Sequence, residues 1–251
     1  MRPWEIILVV KADERGLQNV EKLCGKNSLR CSVIEQKRGY FTTALNMGKK
    51  EARGDVVIFT DEDAIAPHKW IERYARLHNA YKEAAGISSR DIYVNPSSLK
   101  LIPTPDDRVD VRLYRWLVRP WLERPHPLLK KYALGVYLTN RLDVAHGPCI
   151  PSKTCYSLPL RGVNMSFKNE YIYDVWFPEH PRLKRAPGNE QYFGIQLALK
   201  NLDCIYTPNN PVLHIHREES LSRTSKDNII PEYKVMKMFY RQLLNSFQSR
   251  Q

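Results

Sequence analysis

The chain has 251 residues, 43% hydrophobic and 26% charged, which is the composition of a globular protein with one substantial core. It contains no run of about 18 apolar residues, so we expect no membrane-spanning helix, and the N-terminal segment is typical of a first strand rather than a signal peptide. The formal net charge of +12 favours nucleic acid, an anionic membrane surface or phosphorylated small molecules as partners, although it also serves solubility alone.

The five cysteines are odd in number and include no CxxC pair that would indicate zinc. Nothing in their spacing indicates secretion, so we expect reduced thiols and a cytoplasmic location. Pairing of Cys149 with Cys155 stays open.

Strand and helix patterns alternate along the first third of the chain. Strands are predicted over 4–10, 29–35, 55–59 and 85–94, and helices over 16–24, 42–52 and 69–85. This alternation predicts an α/β fold with a mostly parallel central sheet and helices on both faces.

Prolines cluster between residues 103 and 159, and the regular alternation returns only after them. The later elements are a strand over 162–167, a helix over 190–202, a strand over 211–216 and an amphipathic helix over 232–247. We therefore expect one domain over residues 1–251, made of the segments 1–102, 103–159, 160–216 and 217–251.

An acidic turn follows the third predicted strand, in "GDVVIFTDEDAIAP". Alternate residues of an extended segment point the same way, so Asp61 and Asp63 can converge while Glu62 turns aside. Ligands bind outside the carboxyl ends of parallel strands, and two convergent carboxylates suit a hard divalent cation. An acidic turn that stabilises the dipole of the next helix is the alternative.

A pair of histidines lies in phase on the strand "PVLHIH", where His214 and His216 share one face with Val212. Neutral imidazole readily binds ions of the Mn²⁺ type, and the two side chains indicate a lined cleft. Structural histidines are the alternative.

Two further segments carry candidate site residues. Glu190 follows Gly188 at the start of a predicted helix, where it can act as a general base or merely stabilise the helix dipole. In "RGVNMSF", Gly162 permits close approach of the backbone to a ligand, and Asn164 offers a polar side chain; an ordinary buried strand is the alternative.

These motifs, in this order, resemble glycosyltransferase family 2, whose members are inverting enzymes with the nucleotide-diphospho-sugar-binding GT-A fold. The resemblance covers roughly residues 4–100 and 160–222. It is carried by the segments "RGYFTTALNMGKKEARGDVVIFTDEDAIAPHKWIE", "RGVNMSFKNE", "GNEQYFGIQLALKNL" and "PVLHIHREESL", the last similar to rhamnosyltransferase-like members.

The resemblance implies roles for the candidate residues. Asp61 would contact the ribose or the metal, Asp63 with His214 or His216 would hold Mn²⁺ or Mg²⁺, and Glu190 would be the catalytic base. Gly162 and Asn164 would lie on the acceptor side. The donor's nucleotide would meet residues at the ends of the first two strands: Lys11, Asp13, Glu35 and Arg38.

The segment "DDRVDVRLYRWLVRP" lies outside this resemblance. A helical projection places Arg108, Arg112, Arg115 and Arg119 in one stripe. Such a helix can lie on an anionic membrane, hold a phosphate backbone, or pack its apolar arc on the core while its arginines face water.

Two other function classes remain as alternatives. A sugar-phosphate nucleotidyltransferase shares the broad architecture, but the expected Gly-rich basic loop after the first strand does not occur. A nucleic-acid-binding protein is favoured by charge alone, because the sequence has no helix-turn-helix, zinc-finger or RNA-binding signature. The preferred partners are a nucleotide-diphospho-sugar and a hydroxyl acceptor, lipid-linked or polysaccharide.

Overall fold

The computed structural model describes residues 1–26, 29–216 and 226–249. The strands are β1 Ile6–Val10, β2 Cys31–Glu35, β3 Val56–Phe59, β4 Ala64–Ile65, β5 Ala84–Val94, β6 Leu101–Ile102, β7 Val136–Leu138, β8 Val144–His146, β9 Cys155–Tyr156, β10 Met165–Lys168 and β11 Asp203–Ile215. The helices are α1 Glu14–Gly25, α2 Phe41–Glu51, α3 Trp70–Ala80, α4 Val109–Leu117, α5 Arg119–Leu122, α6 Asn169–Ile172, α7 Asn189–Ala198 and α8 Lys226–Gln248.

The central sheet has the strand order β3-β10-β5-β11-β4, with β6 added to β5 and β9 added to β11. Strands β5 and β11 run parallel, whereas β10 is antiparallel to both of its neighbours. Strands β1 and β2 form a separate parallel pair. The α/β fold expected from the sequence is confirmed, with a sheet that is mixed rather than mostly parallel.

The antiparallel direction of β10 follows from the connection that precedes it. The chain leaves β5 at its carboxyl end and returns to that end, where Arg161 contacts Asp91 before β10 begins. Since the connection does not cross to the opposite edge of the sheet, β10 must run back along β5.

The helix predicted over 69–85 ends early in the structure. Helix α3 stops at Ala80, and Ala84 and Ala85 are fully buried in β5. Their helical spacing is therefore misleading, because packing in the sheet overrides the local propensity of alanine.

Four phenylalanines pack between the sheet and α7. The Phe177 and Phe193 rings stack with centroids 4.4 Å apart, and Phe59 contacts Phe193 edge-on with a centroid distance of 6.4 Å. Phe167 completes this cluster from β10. The cluster fixes the start of α7 relative to the end of β3, and the candidate residues Glu190 and Asp61 lie at these two places.

The insertion expected over 103–159 packs on the main sheet through buried charges. Asp106 is bound by Arg115 from α4 and by Arg161, which lies just before β10. Burial alone would raise the pKa of Asp106, but His146 and these arginines hold it well below its usual range. The division of the chain into four segments stays a prediction.

The expected arginine stripe is divided in the structure. Arg115 is buried, and Arg119 donates to the backbone oxygen of His146, whereas Arg108 and Arg112 are exposed. A membrane contact through all four arginines is therefore wrong, because two of them are held inside the protein. Every helix within residues 1–26, 29–216 and 226–249 is either too short or too polar to be a membrane span.

The expectation of reduced thiols is wrong for one pair of cysteines. Cys24 at the end of α1 and Cys31 at the start of β2 form a disulfide, with their Cα atoms 5.5 Å apart. Cys149 and Cys155 are free thiols.

We expect Phe193→Ala to lower the free energy of unfolding by about 3–5 kcal/mol, because it removes a fully buried ring from the phenylalanine cluster. Urea denaturation followed by circular dichroism measures this change. The control is Tyr173→Ala, whose ring is 74% exposed and should shift stability by no more than about 0.5 kcal/mol. Equal effects of both variants would contradict the packing argument.

Candidate active site

The acidic turn lies immediately after β3. Asp61 and Asp63 are partly buried and Glu62 is exposed, so the two aspartates point into the protein and the glutamate points to solvent. The amide of Ala64 donates to the backbone oxygen of Asp61 at 3.2 Å and closes the turn. Strand β4 begins at Ala64 and leads the chain to β11.

The pairing of β4 with β11 brings His214 to the acidic turn. His214 lies opposite Ala64 in this antiparallel pair, and its Nε2 atom lies 3.3 Å from Oδ1 of Asp63. His216 follows on the same face, and the Tyr93 ring lies edge-on to both imidazoles. We call the space between the acidic turn and these two histidines the hollow.

A buried carboxylate orients His214 from behind. The Nδ1 atom of His214 lies 3.0 Å from Oδ2 of Asp91, which leaves Nε2 for Asp63 or a cation. This hydrogen bond raises the pKa of His214. Burial opposes ionisation of Asp91, but the bond from His214 and the charge of Arg161 hold its pKa below the usual range.

Glu190 approaches the hollow from the first turn of α7, close enough for its charge to act on Asp61. Its Oε1 atom accepts a hydrogen bond of 3.0 Å from the amide of Gly162. Burial raises the pKa of Glu190, and the negative charge of Glu190 contributes to raising the pKa of Asp61. The side chains of residues 61, 63, 190 and 214 are therefore brought together from segments far apart in sequence.

Helix α8 supports the loop that carries Glu190. Gly188 precedes α7 with φ of 90°, and a Cβ atom at this position would collide with the hydroxyl of Tyr240. That hydroxyl donates to the backbone oxygen of Gly188 at 2.7 Å. A left-handed residue without a side chain is thus required at this junction.

A cavity of about 460 Å³ opens beside Glu190, between the insertion, α7 and α8. Polar and apolar groups share its wall. The residues around it are Leu142, Asp143, Val144, His146, Leu160, Arg161, Pro187, Gly188, Glu190, Gln191, Tyr233, Met236, Lys237 and Tyr240.

The hollow is electrostatically unbalanced. Burial, followed by the nearby charge of Asp63, raises the pKa of Asp61 to about 7. Carboxylates crowd together here in a chain whose net charge is +12. Such crowding favours either a shared proton or a bound cation.

Asp63 and His214 can supply part of the ligand set of a divalent cation. Two ligand atoms about 2.1 Å from a metal at right angles lie about 3.0 Å apart, close to the 3.3 Å between Asp63 Oδ1 and His214 Nε2. In the described part of the chain, no cluster of three or more His, Cys, Asp and Glu side chains forms a complete metal site. Asp63 and His214 would therefore share the cation with substrate oxygens and water, as Mg²⁺ sites commonly do.

The residues expected to meet the nucleotide form a second group, at the ends of β1 and β2. Lys11 donates to the backbone oxygen of Gly39 at 2.9 Å, and Arg38 is exposed in the same loop. Glu35 is exposed and lies 3.6 Å from Lys37. Asp13 instead caps α1, because its carboxylate accepts from the amide of Gly16 at 2.8 Å.

The two residues expected on the acceptor side differ in their placement. Gly162 lies at the site, where its amide holds Glu190. Asn164 is fully buried: its oxygen accepts from Trp70 and Tyr74, and its amide group donates to backbone oxygens. The structure does not bring Asn164 to the cavity, because its hydrogen-bonding groups are already satisfied inside the core.

Two residues at the site, Asp91 and Arg161, are absent from the predictions made from sequence. Asp91 lies on β5 and Arg161 lies just before the short 3₁₀ helix of residues 162–164, and Arg161 bridges Asp91 and Asp106 with distances of 2.6 and 2.8 Å. A buried charged residue is rarely unpaired, so the opposite charges in "SSRDIYV" and "PLRGVNM" are the sequence feature that could have predicted a buried ion pair. That signal does not specify which charges pair.

Comparison with known proteins agrees with the fold and the motifs. The sequence profile described as "Glycosyl transferase family 2" matches residues 1–127, which is half of the chain. The chain therefore belongs to glycosyl transferase family 2. No curated protein sequence matches it significantly.

Solved structures of glycosyltransferases share the fold at low sequence identity. GalNAc-T7 with UDP, GalNAc and Mn²⁺ superposes with a TM-score of 0.66 and 14% identity, over 93% of this chain and 41% of that one. The Pyrobaculum calidifontis mannosyltransferase PcManGT with GDP-Man and Mn²⁺ gives 0.54 and 14%, over 98% and 64%. S. aureus TarS (1–349) with UDP-GlcNAc gives 0.53 and 16%, over 98% and 63%. This chain thus spans less than two thirds of each of these proteins.

We expect Asp61→Asn to stabilise the metal-free protein at about pH 8 by on the order of 1–3 kcal/mol and to have little effect below about pH 4. The folded protein binds the Asp61 proton more tightly than the unfolded chain does, since the pKa rises from 3.8 to about 7. Wild-type stability is therefore lost as pH rises between these values, and the amide removes that loss.

Denaturant unfolding in the presence of a chelator measures this difference. Glu62→Gln is the matched control, because it removes the neighbouring exposed carboxylate. An equal stabilisation by Asp61→Asn at about pH 8 and about pH 4 would contradict the raised pKa of Asp61.

Proposed function

We propose that this protein transfers a sugar from a nucleotide-diphospho-sugar to an acceptor hydroxyl with inversion at the anomeric carbon. The observation that carries the proposal is the convergence of Asp61, Asp63, His214 and Glu190 at one edge of the sheet. Family membership supports the class of reaction. Neighbours with the same fold were crystallised with UDP, UDP-GlcNAc or GDP-Man.

In this proposal, Asp63 and His214 hold a divalent cation, Mn²⁺ or Mg²⁺, with Asp61 and His216 close by. When bound, the cation would neutralise the charge that develops on the diphosphate as it leaves. Asp91 positions His214 through Nδ1, so that Nε2 remains available as a ligand. Asp61 would contact the donor ribose or a water bound to the cation.

Glu190 acts as the general base. Its carboxylate takes the proton of the acceptor hydroxyl while that oxygen bonds to the anomeric carbon and the bond to the diphosphate oxygen breaks. The raised pKa of Glu190, caused by burial, makes it a stronger base than an exposed glutamate. The amide of Gly162 fixes the orientation of the carboxylate.

The nucleotide would extend toward Lys11, Glu35 and Arg38 at the ends of β1 and β2, with Asp13 at the start of α1. The cavity beside Glu190 is the place for the acceptor, because Glu190 must contact the attacking hydroxyl. The proposal also includes a lipid-linked or polysaccharide acceptor. It places the protein in the cytoplasm, either free or at the cytoplasmic face of the membrane.

The alternative functions have less support. A sugar-phosphate nucleotidyltransferase would need a phosphate-binding basic loop after β1, whereas α1 begins there with the capping residue Asp13. Nucleic-acid binding rests on the net charge alone, and the carboxylates at the candidate site would repel a phosphate backbone.

We expect Glu190→Gln to lower kcat by about 10²–10⁴-fold, because the amide cannot accept the acceptor proton. Donor binding should be retained. As the pH is lowered, wild-type activity should decline at a pH above about 4.3, which is the pKa of an ordinary glutamate. The reason is that the base must be ionised and the pKa of Glu190 is raised. Release of UDP or GDP, measured against pH with candidate donors, tests both points.

The matched control is Glu170→Gln, which changes an exposed glutamate in the first turn of α6. This variant should keep wild-type turnover. Full activity of Glu190→Gln would show that Glu190 is not the base. Nucleotide binding is tested separately, by thermal shift.

We expect UDP or GDP with Mn²⁺ to raise the wild-type Tm by about 5–10 °C at roughly 100-fold excess over Kd, and Asp63→Ala to abolish this shift. Asp63 is the residue in direct contact with His214, so its loss removes half of the ligand pair. Thermal-shift assays with each nucleotide, with and without metal, measure the effect. Glu62→Gln should keep the shift, and a metal-independent response would contradict the cation site.

A further inference from the structure

Helix α4 presents an apolar face to solvent. Val109, Leu113, Trp116 and Leu117 follow the i, i+4, i+7, i+8 spacing of one helix face, and all are at least half exposed. Helix α5 continues this surface with Trp121, which is 78% exposed, and Leu122. We call this set of six residues the α4–α5 face.

The opposite side of α4 explains this orientation. Arg115 is buried and pairs with Asp106, and Tyr114 donates to Glu123 at 3.0 Å. Arg119 binds the backbone oxygen of His146 at 2.8 Å. These polar contacts fix the helix from within, so that its apolar residues have to point outward.

The concentration of apolar residues is unusual for a solvated surface. The described residues include 23 exposed large hydrophobic side chains, and seven of them lie between Val109 and Leu122. Isolated exposed hydrophobics are ordinary, whereas a contiguous apolar patch marks a binding surface.

Exposed cations flank the α4–α5 face. Of the six arginines and lysines between residues 112 and 131, Arg115 and Arg119 are held inside the protein and Lys131 pairs with an aspartate. Arg112, Arg124 and Lys130 are exposed. The surface therefore combines tryptophan and leucine with cations that can reach anionic headgroups.

We propose that the α4–α5 face binds an anionic phospholipid bilayer, with Trp116 and Trp121 inserted at the level of the headgroups. Tryptophan favours this interface because its ring is apolar and its N–H group stays hydrated. Contact with a second copy of the chain is disfavoured, because it would bring two basic rims together. The contact differs from the arginine stripe considered from sequence, since the apolar side chains supply the insertion.

The α4–α5 face is connected rigidly to the candidate active site. Arg115 on α4 and Arg161 beside the cavity bind the same buried carboxylate, Asp106. Docking through this helix would hold the cavity at a fixed height above the bilayer, which suits an acceptor embedded in the membrane. Bilayer binding itself requires no donor, cation or turnover, so it stands or falls independently of the proposed reaction.

Co-sedimentation with vesicles of phosphatidylglycerol and phosphatidylcholine tests the proposal. We expect wild-type protein to bind these vesicles, more weakly at high salt, and to bind pure phosphatidylcholine poorly. The double variant Trp116→Ala/Trp121→Ala should bind at least about tenfold more weakly. It should keep the wild-type Tm, because both rings are exposed.

The matched control is Trp4→Ala, which removes a tryptophan that is 66% exposed outside the α4–α5 face. It should bind vesicles as the wild type does. Absence of wild-type binding to anionic vesicles, undiminished binding of the double variant, or an equal loss in the control would each overturn the proposal. Dimers in sedimentation velocity that disappear in the double variant would assign the face to a second copy and also overturn it.

Discussion

The buried carboxylate of Asp91 is the constraint on which the geometry of the candidate site depends. It accepts from His214 on one side and from Arg161 on the other, and because Asp91 is buried these two partners compensate the cost of its charge. His214 thereby faces Asp63, while Arg161 is fixed next to the glycine that holds Glu190. One ion pair thus orients the cation side and the base side of the same hollow.

The fold places a negative hollow inside a positively charged protein. The carboxyl ends of β3, β5 and β11 meet there, because β10 returns along β5 and β4 turns back onto β11. Phe59 lies two residues before Asp61 and Phe193 lies three residues after Glu190, so the packing of the phenylalanine cluster helps to hold carboxylates that would otherwise repel one another. The raised pKa of Asp61 is the electrostatic consequence, and a divalent cation together with a diphosphate would restore the balance.

Much of the site could be predicted from local patterns. The phase that puts His214 and His216 on one face belongs to a single strand and needs no tertiary information. Asp61 and Asp63 turn inward as expected, but they lie in a turn closed by the amide of Ala64 rather than in an extended segment. Asn164 and Asp91 show where such reasoning fails. Both are buried polar residues, but Asn164 ends a short 3₁₀ helix and has its partners in the core, whereas Asp91 lies on β5 and contacts His214. Only the tertiary contacts distinguish them.

Local patterns were enough to predict the α/β class, most element positions and the residues of the acidic turn, because short-range periodicity encodes which side chains share a face. Contacts between distant parts of the chain set the mixed strand order, the partners of Arg161 and the direction in which α4 points. For α4 the sequence offers two amphipathic arcs, one basic and one apolar. Burial of Arg115 against Asp106, a contact across the fold, selects between them.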